Sequence, residues 1–449
     1  MNAVVVIGGG LAGMAAALRL AAAGRRVILC EQRPFLGGRA FSFRDPDAGA
    51  TVDNGQHVLV GACARLRAFL AAIDAPPGAF IRQRRLALPI LDGTGRCATL
   101  GAAPLPAPAH LAAALLSYRH LGLRGRLAVA RGARALAATR GAAREALDGI
   151  PLGAWLARRG MPAAAIARFW EPLIRPALNA PVESANTPLA AFLLEQGLWR
   201  SPAAGALWLP AMGLTETLGA PGARALAAAG IDVRLSTRVR SIRPATPGDV
   251  AAGPAVELGD GTTLPAAAVI AAVPPRALDR LLPPSLGPPA GYGRIGSSAI
   301  INVYLWYDRP VTGLAFAGTF DSPLQWIFNR TQLLGADAAG GAACLGISLS
   351  AADAWLDRDK AELADFCDAA LGRLFPARAA ARRTAWAVVK EPHATFRTGP
   401  GLIGLRPGPI GPVRGLYLAG DWTDTGWPAT MEGAVVSGET AAGAALRGG

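Results

Sequence analysis

The sequence predicts an α/β fold in which a parallel-sheet domain is joined to a second domain of mixed α+β character. Four stretches carry that expectation. VVVIGGGLAGMAAALRLAAAGRRVILCE, at the N-terminus, reads strand, glycine turn, helix and strand, and ends on a carboxylate. GLYLAGDWTDTGWPATMEGAVVSG, near the C-terminus, reads strand, loop and helix. Between them lie an Ala/Leu/Arg-rich helical stretch and the alternating run SSAIINVYLWYDRP, which belong to a different layer.

The opening unit is the most informative. VVVI is a short β-branched run suited to a buried parallel strand, and Gly8, Gly10 and Gly13 fit G-x-G-x-x-G. In that pattern the first glycine permits the tight turn and the second lets a pyrophosphate approach the backbone. The third lets the helix close on the strand, and the helix N-terminus then faces the phosphates. The helix runs to Gly24, a C-cap candidate, and RVILCE supplies the next strand. Glu31 falls 18 residues after Gly13, where a carboxylate can take ribose hydroxyls. A structural turn alone would supply glycines without that acid, so the unit reads as Rossmann-like. The acid disfavours NADP, whose phosphate it would repel, and leaves NAD and FAD both open.

Composition narrows the rest. With 449 residues, 52% of them hydrophobic, the chain can bury a large core in two or three domains. The net charge of +14 could suit a polyanion, yet Lys360 and Lys390 are the only lysines. The charge is Arg in an Ala/Gly/Pro-rich chain, as biased codon usage produces, and no basic stretch carries interleaved aromatics, so no nucleic-acid partner is expected. Cys30, Cys63, Cys97, Cys344 and Cys367 are odd in number and make no CxxC pair, which points to reduced thiols in the cytoplasm. The first strand begins almost at Met1, so cleavage of a leader would delete the glycine loop. No run reaches the roughly 18–20 apolar residues of a membrane-spanning helix.

Downstream of Glu31, EQRPFLGGRA and VDNGQHVLVG, together with the C-terminal segment, resemble the flavin amine-oxidase and phytoene-desaturase superfamily. PAMGLTETLGAPGARALAAAGIDVRLSTRVRSI and AVIAAVPP resemble its middle segments. The resemblance implies FAD and a Rossmann-like FAD-binding domain of the glutathione-reductase-2 type with an inserted α+β substrate domain. The FAD domain would comprise 1–105, 205–285 and 385–449, and the substrate domain 106–204, mainly helical, and 286–384. By the same resemblance FAD is held by Gly8, Gly10, Ala12, Gly13, Glu31, Gln32, Arg33, Gly38, Arg39, Asn54, Gly55, Gln56, Val239, Gly420, Asp421, Thr430, Met431 and Glu432. Glu31 would take the adenosine ribose and Val239 would lie near the adenine. Arg39 would approach the pyrophosphate, Asp421 the ribityl or phosphate region, and Met431 and Glu432 the isoalloxazine. The Pro/Gly-rich PPSLGPPAGYG at 283–293 reads as a crossing between domains.

FWEPLIRPALNAPVESANTPLAAFL, with VDNGQHVLVGAC and GDWTDTGWPATMEGAVVSG, resembles the hydroxysqualene dehydroxylases within that superfamily. The implied reaction is hydride delivery from reduced FAD to an allylic carbon of a C30 isoprenoid while hydroxide leaves. Hydroxide is a poor leaving group, so an acid is needed near the C–O bond. His57 is the candidate, donating as a cation; a purely structural hydrogen-bonding role for the same ring stays open. Glu171 and Glu195 are runners-up that read first as structural partners of arginines. Trp170 and Asn179 would shape the substrate pocket by resemblance, although Trp170 also suits core packing. His110, His120 and His393 have no partner at metal-ligand spacing, so no metal is expected. An external electron donor is expected, since no second nucleotide motif is evident. Residues 111–146, with seven arginines and no acid from Arg119 to Arg144, suit peripheral contact with the inner membrane's cytoplasmic face, or simply a solvated helical face. The alternatives are a phytoene-type desaturase or isomerase, an amine oxidase, and a non-enzymic FAD-binding partner of an isoprenoid synthase.

Overall fold

The computed structural model describes residues 2–244, 253–283, 286, 291–341 and 343–448. Val4–Ile7 is the central strand of a five-stranded parallel sheet ordered Asp232–Arg234, Val27–Cys30, Val4–Ile7, Ala268–Ala271 and Leu416–Leu418. All four residues of that strand and of Ala268–Ala271 are buried, as continuous β-branched and small apolar runs covered on both faces should be. Helix Leu11–Ala22 follows the glycine turn, and Gly24 at φ +75° ends it. The C-terminal helix Met431–Gly448 crosses this helix so closely that a Cβ on Gly438 would sit 2.0 Å from the Ala12 carbonyl oxygen. Helix Ala64–Ala72 packs against the same core, with Leu20, Leu66 and Val435 fully buried or nearly so.

The second sheet has seven strands, ordered Arg383–Phe396, Ser297–Tyr307, Ala343–Ser350, Trp326–Asn329, Phe316–Thr319, Ala87–Leu91 and Cys97–Gly101. Its pairs are antiparallel except where Phe316–Thr319 runs parallel to Ala87–Leu91. Alternation along Ser297–Tyr307 sends Ile301, Val303 and Leu305 to one face, where helix Lys360–Leu374 packs Leu363 and Leu371 on them. Tyr304 and Trp306 go to the other face, against Ala50 and Val52 of the nucleotide-binding half. Helices Ala109–Ser117, Leu123–Ala137 and Thr187–Leu193, with helical residues 163–178, form a layer of their own.

These pairings run across the expected domain boundaries at 105 and 385. Ala87–Leu91, Cys97–Gly101 and Arg383–Phe396 hydrogen-bond into the second sheet, so that sheet draws on residues on both sides of each expected boundary. The strands themselves are visible in sequence, but their partners lie hundreds of residues away. Most of the crossing expected at 283–293 falls outside the described residues. At its end the Asp279 carboxylate accepts from the Tyr292 and Gly293 amides at 2.6 and 2.7 Å.

Candidate functional site

At one end of the site the backbone does the work. Gly8 has φ +105°, which L side chains rarely adopt, and a Cβ on Gly13 would lie 1.9 Å from the Gly8 carbonyl oxygen. Helix Leu11–Ala22 begins with no side-chain cap and no acid in its first turn, so its leading N–H groups are free to meet an anion. The Gly37–Gly38 turn approaches this mouth, and a Cβ on Gly38 would stand 3.0 Å from the Gly10 Cα. Buried Glu31, at the end of the second strand, accepts from the Gly9 amide at 2.7 Å and from the Arg33 amide at 2.8 Å. These bonds aim the carboxylate into the mouth of the cradle. The Arg33 guanidinium donates to the Gly38 carbonyl at 2.9 Å and lies over the Phe41 ring, so it braces the turn, while Gln32 is exposed. The Thr237 amide donates to the Glu31 carbonyl at 2.8 Å, which brings Val239 alongside.

In the middle, Arg39 bonds Asp421 at 2.7 Å and the Ala394 carbonyl at 2.7 Å. The Asp421 carboxylate raises the Arg39 pKa further, and the pair ties the glycine turn to the C-terminal loop. Gly420, at φ +140°, gives its amide to Ser437 Oγ at 2.8 Å. Beneath this loop buried Arg406 donates to the carbonyls of Asp421, Trp422 and Thr423, and burial lowers its pKa. Thr430 Oγ1 accepts from the Gly433 amide at 3.0 Å, capping the C-terminal helix and leaving the Met431 and Glu432 amides to point out of its N-terminus.

At the far end stands the loop Asp53–His57. Asp53 Oδ1 accepts from Ser42 Oγ at 2.7 Å and from the Leu214 amide at 3.0 Å. Its Oδ2 takes Arg330 Nη1 at 3.0 Å, and its carbonyl takes the Tyr304 hydroxyl at 2.8 Å. Asn302 Nδ2 reaches the Asn54 carbonyl at 3.3 Å, and Asn54 Nδ2 reaches Glu391 Oε2 at 3.2 Å. His57 Nδ1 lies 3.0 Å from the Gly55 carbonyl, so this nitrogen carries the hydrogen and Nε2 is the acceptor. Burial lowers the His57 pKa below its ordinary 6.5, more than the nearby Asp53 charge raises it. Acting as the acid, His57 would have to take up a proton against this burial.

Other expected residues have different duties. The Glu432 carboxylate accepts from the Arg65 and Leu66 amides at 3.0 and 2.6 Å, capping helix Ala64–Ala72, and burial raises its pKa. Its side chain is thus turned to another helix, and its backbone amide is what remains for a ligand. Asn179 is 2% exposed in a left-handed conformation. It gives Nδ2 to the Ser298 carbonyl and Thr395 Oγ1, and its Oδ1 takes the Ala351 amide. Trp170 is wholly buried with Phe169 in the helical layer. Both are thus held by packing and by hydrogen bonds to distant residues. Glu171 is held by Arg175 and the Val182 amide, and Glu195 by Arg144 at 2.7 Å, so the runner-up acids are structural. The sequence reading missed Arg330, Tyr304, Asn302, Arg406 and Glu391. The alternation of Ser297–Tyr307 does place Asn302 and Tyr304 on one face, a signal that was available.

A parallel sheet with an uncapped glycine cradle at its carboxyl edge, and a buried carboxylate at the end of its second strand, defines the class of two-domain dinucleotide-binding proteins. The cradle suits a pyrophosphate, since the bare Gly13 lets the uncapped helix close on the strand and the bare Gly38 lets the second turn approach Gly10. Residues 11–446 match the flavin containing amine oxidoreductase family. Hydroxysqualene dehydroxylase of Rhodopseudomonas palustris is 31% identical over 99% of this chain and 98% of its own. That of Sinorhizobium fredii is 30% identical over 98% and 97%. A solved oxidoreductase from Methanosarcina mazei superposes with a TM-score of 0.74 at 20% identity, over 98% of this chain and 99% of its own. The chain belongs to the flavin containing amine oxidoreductase family, among the hydroxysqualene dehydroxylases, and is an oxidoreductase whose cofactor is FAD.

Proposed function

We propose that this chain removes the hydroxyl of hydroxysqualene reductively to give squalene. The observation that carries the reading is likeness along nearly the whole chain to two proteins of that name, in a fold whose glycine cradle suits FAD. Reduced FAD, when bound, supplies a hydride to the allylic carbon as the C–O bond breaks. The chain's own residues do the rest. The uncapped helix at Leu11 and the Gly10–Gly38 contact receive the pyrophosphate, Glu31 the adenosine ribose, and the Met431 and Glu432 amides the polar edge of the flavin ring. Asp53–His57 lines the reacting face, with His57 Nε2 placed to accept a hydrogen bond or, once protonated, to give a proton to the departing oxygen. Electrons come from an external donor.

The substrate is a C30 hydrocarbon, and the helical layer carries features suited to lipid. Leu116, Leu123 and Leu127 are 62%, 65% and 52% exposed beside Arg119, Arg124 and Arg131. Leu123 and Leu127, one turn apart on helix Leu123–Ala137, form an apolar ridge flanked by cations, which supports peripheral attachment to anionic lipid. Among the described residues no helix is long and apolar enough to cross a membrane. Liposome flotation tests this: changing Arg124, Arg126 and Arg131 to Glu releases the protein from anionic vesicles, and unchanged flotation removes the attachment.

For the reaction itself, the flavoprotein is reduced anaerobically with dithionite and given hydroxysqualene in detergent. Flavin reoxidation matched by squalene on mass analysis is the expected result. Flavin that stays reduced in the presence of hydroxysqualene rejects the reading.

A further inference from the structure

We propose that Arg330, through Asp53, is a positioning residue that fixes the Asp53–His57 loop for the reaction, so that the second domain sets the geometry of the flavin-facing wall. The turnover part of this inference rests on the function proposed above; the geometric part does not. Arg330 opens the short helix Arg330–Leu334, and its guanidinium is sealed in. The Arg330 and Asp53 side chains are 2% and 4% exposed. Arg330 Nη1 donates to Asp53 Oδ2 at 3.0 Å and lies 3.5 Å from Gln56 Oε1, and the guanidinium stands 5.0 Å from the centre of the Tyr304 ring. Arg330 Nε has no acceptor among the described residues.

Tyr304 and Asn302, both from strand Ser297–Tyr307, bond the carbonyls of Asp53 and Asn54. Three side chains of one domain thus converge on consecutive residues of a loop that belongs to the other. A buried ion pair is seldom the most stable filling for such a space, and an apolar pair would pack as well; what the charges add is a single geometry. Here that geometry decides where Gly55 turns its carbonyl, hence which nitrogen of His57 carries the hydrogen. The charged groups around the ring are Asp53 and Arg39, with Arg330 one contact further out.

The test uses the FAD-loaded enzyme labelled with ¹⁵N-histidine, in which His57 is one of four histidines and is assigned through His57→Gln. The wild type is expected to show the two ¹⁵N shifts of a single Nδ1–H tautomer. Arg330→Met leaves Asp53 as a buried unpaired anion and is expected to fold poorly. The informative variant is therefore Asp53→Asn with Arg330→Met, which removes both charges. In that variant the melting temperature recovers relative to Arg330→Met, while the His57 shifts collapse toward a tautomer mixture. With hydroxysqualene, kcat falls at least tenfold and KM stays within about twofold; Arg330→Lys recovers part of kcat. If the folded double variant keeps wild-type His57 shifts, or if kcat returns along with the melting temperature, the pair is merely structural and the inference is overturned. Should the wild type fail to turn over hydroxysqualene, the function reading falls, and the tautomer measurement still decides whether Arg330 positions the loop.

Discussion

The two ends of the cofactor groove are built by opposite means. At the glycine end, Gly8 to Gly13, Glu31 and the Gly37–Gly38 turn meet through main-chain atoms, and the carboxylate of Glu31 is oriented by amides two and 22 residues away. At the Asp53–His57 end, Ser42 and Arg330 hold the Asp53 carboxylate while Tyr304 and Asn302 hold the Asp53 and Asn54 carbonyls, Arg330 lying 277 residues away. The glycine end is organised within its own sheet and turn, whereas the Asp53–His57 end also takes Arg330, Tyr304 and Asn302 from the second sheet and the helix beside it; on the function proposed above, binding and reactivity would then draw on different parts of the molecule.

Substitutions can break this contrast. The largest effect is expected from Gly13→Val, because its Cβ would stand 1.9 Å from the Gly8 carbonyl oxygen and the turn must open. A loss of about 4 kcal/mol or more in denaturant unfolding, with no FAD retained on gel filtration, is the expected result. Asp53→Ala comes next, since it strands a sealed guanidinium; about 3–5 kcal/mol is the usual cost of breaking one side of a buried pair. FAD affinity, measured by isothermal titration of refolded apoprotein, should fall far less than in Gly13→Val if the two ends are separable, and an equal fall would dissolve the contrast. Tyr304→Phe removes one hydroxyl from the Asp53 carbonyl and should cost about 1 kcal/mol in the same unfolding experiment.

The smallest effect sharpens the contrast through pH. Burial lowers the His57 pKa in the folded protein below 6.5, so on acidification the unfolded chain takes up a proton first. Folded stability therefore drops as pH falls from 6.5 toward the folded value, and is unaffected by this residue above that window. His57→Gln should flatten that stretch of the melting-temperature profile. An unchanged slope would mean that His57 titrates normally and is less enclosed than its surroundings require.

How much of this was legible follows the same division. The strand, glycine turn, helix, strand and Glu31 could be read because every partner lies within one short stretch and each residue type has one geometric use there. The C-terminal strand and helix were legible for the same reason. The ion pair at Arg330 was not, because in a chain rich in arginine nothing local distinguishes the one that is buried. Glu432 shows the converse: a carboxylate at a helix start, next to a flavin-family motif, is turned toward the Arg65 and Leu66 amides of another helix. Asn179 was singled out by family resemblance alone, and its hydrogen bonds to Ser298, Thr395 and Ala351, residues more than a hundred positions away, could not be read locally.

The sheet order has a consequence for how the protein is made. Val4–Ile7, made long before its partners, pairs with Ala268–Ala271, and that strand pairs with Leu416–Leu418. Helix Leu11–Ala22 likewise waits for Met431–Gly448, with Gly438 pressed against the Ala12 carbonyl. A nascent chain therefore displays its glycine turn long before the sheet that shapes it is complete, and a polypeptide stopped before Leu416 would carry the whole fingerprint without the strand and helix that complete the layer around it.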